Sequence, residues 1–156
     1  MELNWRCVFF KDLAVQELYA IIRLRIEVFS LEQQCIYQDL DNRDQHCYHL
    51  MGFRGEELIA YARILPPGVS FPEASIGRVV SAPAARGKGA GRALCSRAIQ
   101  TARELFGPGP IRIGAQLYLK KFYESFGFVA AGKTYLEDNI PHLEMILPEA
   151  KGVLGK

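Results

Sequence analysis

Residues 76–91 of the chain read IGRVVSAPAARGKGAG, an apolar stretch that leads into three closely spaced glycines. The apolar part predicts a strand over about 74–81. Apolar side chains at helical spacing predict a helix over about 90–106. The glycines therefore lie in a loop between a strand and a helix, and we expect this loop to carry a ligand.

That ligand is predicted to be a phosphate or pyrophosphate. Glycine lets the backbone approach a ligand closely, and the free N–H groups at a helix start favour an anion. Positive side chains add to this field. The residues that form this predicted site are Arg86, Gly87, Lys88, Gly89, Ala90, Gly91 and Arg92.

Two nucleotide-binding motifs fit the segment poorly. A P-loop requires Gly-Lys followed by Ser or Thr, and Lys88 is followed by Gly89. A dinucleotide fingerprint requires G-x-G-x-x-G in a βαβ unit, whereas the spacing here is G-x-G-x-G.

The remaining pattern predicts a mixed α/β (α+β) fold with a mostly antiparallel central sheet flanked by helices. Periodicity and turn residues predict further strands over about 4–10, 46–53, 58–65, 111–115, 128–135 and 142–147. Further helices are predicted over about 14–31 and 117–126, with a long polar loop over 33–45.

Length and composition predict one globular domain over residues 1–150, followed by a frayed tail over 151–156. The 156 residues are 49% apolar and 23% charged, with a net charge of +2. Such balance gives no reason to expect nucleic acid or an anionic membrane as partner, and no run of residues is as apolar as a membrane span. The first residues lack the layout of a signal peptide, so we expect a cytoplasmic protein.

The four cysteines are scattered, which is typical of reduced, structural thiols in a protein of that compartment. His46 to His49 form the tightest cluster of metal-capable side chains, near Asp41 and Asp44. A metal site requires a second converging pair, so no metal is predicted.

The glycine loop and the strand before it resemble those of the GCN5-related N-acetyltransferases. Arg86, Gly89 and Gly91 match that family's Q/R-x-x-G-x-G/A motif, and residues 76–81 resemble its fourth strand. A second motif, running from Gln116 through the sequence YESFGF at 123–128, follows in the expected order. The stretches 24–41, 60–65 and 140–142 further resemble the family's ElaA subgroup.

The resemblance implies an acyl-CoA N-acyltransferase fold and acetyl-CoA as co-substrate. It implies that the end of the fourth strand, Val79, Val80 and Ser81, binds the pantetheine arm through its backbone. Gln116 corresponds to a family Asn near the cofactor, with a longer side chain. Tyr123 corresponds to the tyrosine that protonates the departing thiolate, although its pattern also fits a buried aromatic side chain.

The general base is less well defined. Some relatives place a glutamate on the fifth strand, where this chain has Ile111. Alternation along the last strand predicts His142 and Glu144 on one face. Such a pair can relay a proton near neutral pH, or can form a half-exposed polar face.

The acceptor pocket is expected near the first helix and the loop after it. Carboxylates there, among them Glu32 and Asp41, would suit a cationic amine, or would simply be solvated. Arg63 could bind a substrate carboxylate or pair with these acids, whereas for Arg25 we favour structural pairing. Glu144 completes the predicted substrate-binding set.

The predicted function is therefore transfer of acetyl from acetyl-CoA to a small-molecule or protein amine through a ternary complex. One alternative is an acetyl-CoA-binding module without catalysis, because the strand-five glutamate is missing. Another is an acyl transferase like the acyl-homoserine-lactone synthases, which share the fold and take acyl groups from carrier proteins. Exposed strand edges would also allow a homodimer.

Overall fold

The computed structural model describes residues 2–34 and 36–150, in seven strands and three α-helices. The strands are β1 (Asn4–Phe9), β2 (Tyr48–Arg54), β3 (Glu57–Leu65), β4 (Ser75–Ser81), β5 (Ile111–Gln116), β6 (Val129–Glu137) and β7 (Ile140–Leu147). The helices are α1 (Val15–Arg25), α2 (Ala90–Phe106) and α3 (Lys120–Glu124). The predicted mixed α/β fold with mostly antiparallel strands and flanking helices is confirmed.

The strands form two antiparallel sheets that meet at one end. The first has the order β1-β2-β3-β4 and the second the order β5-β7-β6. They are joined by a parallel bridge between Ala74 and Ile111, where the Arg112 N–H donates to the Ala74 carbonyl at 2.9 Å. Among the described residues no strand pairs with β4 on this side beyond the bridge. β4 and β5 therefore separate and leave an open cleft.

α1 and α2 cover opposite faces of the first sheet, because side chains alternate along each strand. Ala60, Ala62 and Ile64 of β3 pack in one apolar cluster with Leu94 and Ala98 of α2. The intervening residues Ile59 and Tyr61 pack in a second cluster with Ile21, Leu24 and Val28. The glycine loop connects β4 to α2, so it lies at the end of a strand that borders the cleft.

The first helix differs from the prediction in its second half. α1 ends at Arg25, and residues Ile26–Glu32 continue it as a π-helical segment. The Gln33 N–H accordingly donates to the carbonyl of Val28, five residues back, at 3.2 Å. π-helical turns cluster at functional sites, and this one borders the cleft.

Other boundaries shift by one to a few residues. The helix predicted over 117–126 is a 3₁₀ turn at Leu117–Leu119 followed by α3. β6 and β7 are longer than predicted and form a hairpin closed by Asp138 and Asn139, both in the left-handed region. The predicted tail 151–156 lies outside the described residues. Within the described chain, no helix is long and apolar enough to cross a membrane.

Candidate active site

The cleft between β4 and β5 contains a cavity of about 550 Å³. Its walls are residues 76–81 of β4 and 113–116 of β5, and the β6–β7 hairpin and the π-helical segment close its ends. The unpaired edge of β4 faces this space, so its backbone groups are available to a ligand. Val79, Val80 and Ser81, predicted to bind the cofactor, all line the cavity.

The glycine loop reaches α2 through two left-handed residues. Gly87 has φ +78° and Gly89, the N-cap of α2, has φ +82°. Side chains rarely adopt this conformation, which explains why glycines stand there. A Cβ added to Gly87, Gly89 or Gly91 would meet nothing within 4 Å. The space above the helix start is therefore open, and the first N–H groups of α2 are available to an anion.

Arg86 links the glycine loop to the π-helical segment. Its guanidinium forms a two-pronged ion pair with Glu32, with one N–O distance of 2.7 Å, and donates to the Ser81 carbonyl at 3.1 Å. Both Arg86 and Glu32 line the cavity. The predicted cofactor residue and the predicted substrate residue are thus brought together, as partners of each other.

Of the predicted phosphate site, Arg86 lines the cavity. The remaining residues of that site are absent from the cavity wall of the described chain: Gly87, Lys88, Gly89, Ala90, Gly91 and Arg92. The Arg92 guanidinium donates to the Ser125 hydroxyl at 3.0 Å and lies 4.6 Å from the centre of the Phe126 ring. Its side chain therefore holds α2 against the turn after α3.

Tyr123 and Gln116 line the cavity from the side of the second sheet. Tyr123 is 8% exposed, and its ring is held edge-on by Phe122 and Phe128 at 5.3 and 5.7 Å. Its hydroxyl has no hydrogen-bond partner within residues 2–34 and 36–150. Burial raises the pKa of Tyr123 well above its ordinary value, so the hydroxyl stays protonated.

His142 lies in the same cavity, opposite Gln116 in the register of β5 and β7. Its Nδ1 is 2.7 Å from the Ile140 carbonyl. Because a carbonyl oxygen only accepts, Nδ1 carries a proton, and the neutral ring has its lone pair on Nε2. The Tyr135 ring stacks on the imidazole, and the nearest carboxylate is Glu137, with Oε2 3.9 Å from Nε2.

The other predicted partner of His142, Glu144, is engaged elsewhere. It shares the outward face of β7 with His142, as predicted, but its carboxylate binds Arg112 at 3.1 Å. Arg112 also binds Glu73 at 3.0 Å. Glu144 is absent from the cavity wall of the described chain.

Asp41 and Arg63 also lie outside that wall, in a buried ion network behind it. The Arg63 guanidinium binds both Asp41 oxygens, at 2.8 and 2.9 Å, and one oxygen of Asp44 at 3.0 Å. Arg25 binds Asp39 at 2.9 Å and the same Asp44 oxygen at 2.8 Å. The structural pairing favoured for Arg25 is confirmed, and Arg63 is paired with acids of the same loop.

The network anchors the loop over 33–45 beside the cavity. Arg78 of β4 binds Asp39 at 2.9 Å, and Tyr37 donates to the same carboxylate at 3.1 Å. Arg78 and Tyr37 both line the cavity. Arg78 has φ +47° at the bulge where β4 shifts register against β3, a conformation that the surrounding contacts must hold in place.

His49 also belongs to this network. The Tyr61 hydroxyl donates to His49 Nδ1 at 2.7 Å, and Nε2–H donates to the Asp44 carbonyl at 2.9 Å. Burial lowers the pKa of His49, which keeps the ring neutral between the arginines. Within the described ranges, no three His, Cys, Asp or Glu side chains converge as metal ligands.

Three further cavity residues were not predicted from the sequence: Arg78, Tyr37 and Glu137. Arg78 stands within the strand that was predicted to bind through its backbone alone. Glu137 precedes the Asp138-Asn139 pair, which is a hairpin-turn signal that could have placed it at a strand end.

The sequence model described as "Acetyltransferase (GNAT) domain" matches residues 12–148. This chain belongs to that family. The family is consistent with an acyltransferase that uses an acyl-CoA co-substrate, since the fold neighbours include acyl-CoA N-acyltransferases.

Relatives match over nearly the whole chain. Protein ElaA of Escherichia coli is 39% identical over 145 residues, which are 92% of this chain and 95% of that protein. Its crystal structure superposes with a TM-score of 0.87 and covers 93% of this chain and 99% of that one. An acyl-CoA N-acyltransferase from Pseudomonas aeruginosa is 45% identical, with a TM-score of 0.89 and the same coverage. The resemblance to the ElaA subgroup is confirmed.

The likeness to acyl-homoserine-lactone synthases is one of fold alone. BjaI superposes with a TM-score of 0.77 at 15% identity and covers 94% of this chain and 83% of its own. That synthase is named as CoA-dependent, so the expectation that such enzymes use carrier proteins fails for it.

Proposed function

We propose that the protein transfers the acetyl group of acetyl-CoA directly to a small-molecule or protein amine within a ternary complex. The observation that carries this proposal is one cavity that joins two half-sites. The β4 edge and Arg86 form one half-site, and Tyr123 and His142 stand in the other. Direct transfer requires both substrates side by side.

For acetyl-CoA, the free edge of β4 offers backbone partners to the amide groups of the pantetheine arm. Val79, Val80 and Ser81 supply these groups, and a backbone N–H near Val80 would stabilise the oxygen of the thioester carbonyl as charge develops. The open space above Gly87, Gly89 and Gly91 suits the pyrophosphate.

For the transfer step, His142 Nε2 takes a proton from the acceptor ammonium and so frees the amine lone pair. The amine then attacks the thioester carbonyl, and a C–N bond forms as the C–S bond breaks. Tyr123 gives its proton to the departing thiolate and regains one from the acylated nitrogen through water. The products are an amide, the CoA thiol and one proton on His142 that passes to solvent.

The test combines binding and turnover. A ligand at 100 times its dissociation constant stabilises a fold by about 2.7 kcal/mol, so thermal shifts with acetyl-CoA, ATP and NAD identify the cofactor class. Release of CoA thiol with a panel of amines then reports transfer. A larger shift with ATP or NAD than with acetyl-CoA would contradict the proposal.

A second candidate, an acetyl-CoA-binding module without catalysis, is favoured by one observation. Ile111, at the position of the family glutamate, is 1% exposed and part of the apolar core. No base acts from that position. Stabilisation by acetyl-CoA without thiol release across the amine panel would support this candidate.

We also propose the cytoplasm as the compartment and a homodimer as a state to be tested. Cys7, Cys47 and Cys95 are free thiols, which suits a reducing compartment. β6 is an edge strand with mostly exposed side chains, which would allow pairing with a second copy. Light scattering during size-exclusion chromatography measures that state.

A further inference from the structure

The cavity has three carboxylates in its wall that the proposed transfer does not use: Glu32, Glu137 and Asp138. The charged side chains of its wall, apart from His142, are Glu32, Arg78, Arg86, Glu137 and Asp138. Arg86 is paired with Glu32, and Arg78 is paired with Asp39 behind the wall. Both arginine charges are therefore offset, whereas the Glu137 carboxylate lies beside the His142 imidazole, with Oε2 3.9 Å from Nε2.

Glu137 and His142 present two hydrogen-bond acceptors side by side. Glu137 is 55% exposed, and its Oε2 lies 3.9 Å from His142 Nε2, which is beyond a hydrogen bond. His142 is 7% exposed and lines the cavity, so Nε2 opens towards the same space. A lone pair and a carboxylate at this separation leave room for a donor between them.

The imidazole does not need Glu137 to hold its orientation. Nδ1 already donates to the Ile140 carbonyl, and Tyr135 stacks on the ring at 5.7 Å between centres. The cross-strand neighbour on β5 is Gln116, which is uncharged, and Glu144 on the same strand is held by Arg112. Glu137 is therefore free to serve a ligand.

Resting on the proposed function, we propose that Glu137 and His142 together bind the acceptor as a primary ammonium cation. One ammonium nitrogen carries three donors, and hydrogen bonds of about 2.9 Å to each partner are compatible with acceptors 3.9 Å apart. Glu137 captures the cation, and His142 then receives its proton. The acceptor class is a basic aliphatic amine, in preference to a weakly basic aromatic amine that arrives uncharged.

The experiment measures amine binding separately from turnover. The protein is saturated with CoA, which cannot transfer an acetyl group, and titrated with butylamine while the imidazole resonances are followed by NMR. His142→Asn identifies the signal among the three histidines, because the Asn side chain keeps a donor for the Ile140 carbonyl. Butan-1-ol serves as an uncharged ligand of the same length.

We expect a saturable shift of the His142 signal with butylamine and none with butan-1-ol. Glu137→Gln removes a charged partner and should weaken butylamine binding about tenfold or more. Glu57→Gln, beside the β2–β3 hairpin turn and also exposed, is the matched control with unchanged binding. An unsaturable shift, or equal binding by Glu137→Gln, would overturn the subsite.

Thiol release with acetyl-CoA on the same samples separates the two proposals. Butylamine binding that depends on Glu137, without thiol release, would refute acetyl transfer and uphold the subsite. Thiol release that is equally efficient in the wild type and Glu137→Gln would uphold transfer and refute the subsite.

Discussion

Arg86 of the glycine loop and Glu32 of the π-helical segment form an ion pair across the cavity, although 54 positions separate them. Hydrogen bonding from Arg86 lowers the pKa of Glu32, and the same contact raises that of Arg86. The side chain at the start of the phosphate motif is therefore neutralised in the free protein. This contact links the glycine loop to the π-helical segment at the cavity wall.

Glu32→Gln should strengthen CoA binding, because the positive charge of Arg86 then faces the pyrophosphate without compensation. Both side chains are about 40% exposed, so the gain should be modest, about two- to fivefold in the dissociation constant. Calorimetric titration with CoA measures it, with Glu57→Gln as the control. Weaker binding would instead mean that Glu32 holds Arg86 in its binding position.

Gly91→Leu should block the pyrophosphate site without unfolding the protein. Gly91 is the second residue of α2, and a Cβ there meets no atom within 4 Å. Leucine favours a helix more than glycine does, but its side chain would enter the open space above the loop. CoA binding should weaken about tenfold or more, as for a lost charged contact.

Gly91→Ala is the matched control, because the family motif accepts Gly or Ala at this position. It should bind CoA like the wild type. Equal CoA binding by Gly91→Leu and Gly91→Ala would show that the pyrophosphate lies elsewhere.

Tyr123→Phe should lower kcat by about a hundredfold or more, the usual contribution of a positioned acid. The phenylalanine ring keeps the edge-on contacts with Phe122 and Phe128, so the KM for acetyl-CoA should not change. Steady-state thiol release measures both constants. Tyr19→Phe, an exposed tyrosine of α1, provides the control. Unchanged kcat in Tyr123→Phe would remove its role as proton donor.

Arg25→Met should destabilise the fold strongly. The guanidinium is 1% exposed and binds Asp39 and Asp44, so its loss leaves buried carboxylates uncompensated. Removing one partner of a buried pair costs about 3–5 kcal/mol in the free energy of unfolding. Urea denaturation measures this loss.

The control for that variant is Arg54→Met, which breaks an exposed pair with Glu57. Its cost should be below about 1 kcal/mol. Similar losses in the two variants would mean that the buried network contributes nothing beyond a surface ion pair.

As the pH is lowered, the free energy of unfolding should fall in two stages. Burial opposes ionisation of Asp41 and Asp44, but hydrogen bonds and charge from Arg63 and Arg25 outweigh it and hold both pKa values below their usual range. The unfolded chain therefore binds protons first, below about pH 4, and the free energy of unfolding falls there. Burial lowers the pKa of His49, which adds an earlier decline below about pH 6.5.

Urea denaturation at a series of pH values measures this profile. In Arg63→Met, the fall in the free energy of unfolding below about pH 4 should be smaller. If the free energy of unfolding falls with the same slope below about pH 4 in that variant, Asp41 and Asp44 are not the groups responsible.

The glycine loop and the elements beside it could be predicted from the sequence because their signal is local. Gly87, Gly89 and Gly91 mark left-handed or open backbone within six residues of Arg86, and the neighbouring strand and helix are strongly periodic. Such features depend on short-range conformational preference.

The acceptor half could not be predicted in the same way. Arg78 meets Asp39 across 39 positions of sequence, and no local pattern reports a buried guanidinium. Glu137 reaches His142 only because the hairpin turn fixes the register of β6 against β7. The predicted roles for Asp41 and Arg63 depended on composition alone, which does not distinguish a pocket wall from a network behind it.

The most direct test of acetyl transfer measures both products of one reaction. Purified protein is incubated with acetyl-CoA and butylamine or butane-1,4-diamine, and CoA thiol and acetylated amine are quantified together. We expect equal amounts of the two products, formed at a rate that falls sharply in Tyr123→Phe. Saturable binding of acetyl-CoA with no amine-dependent thiol release would contradict it.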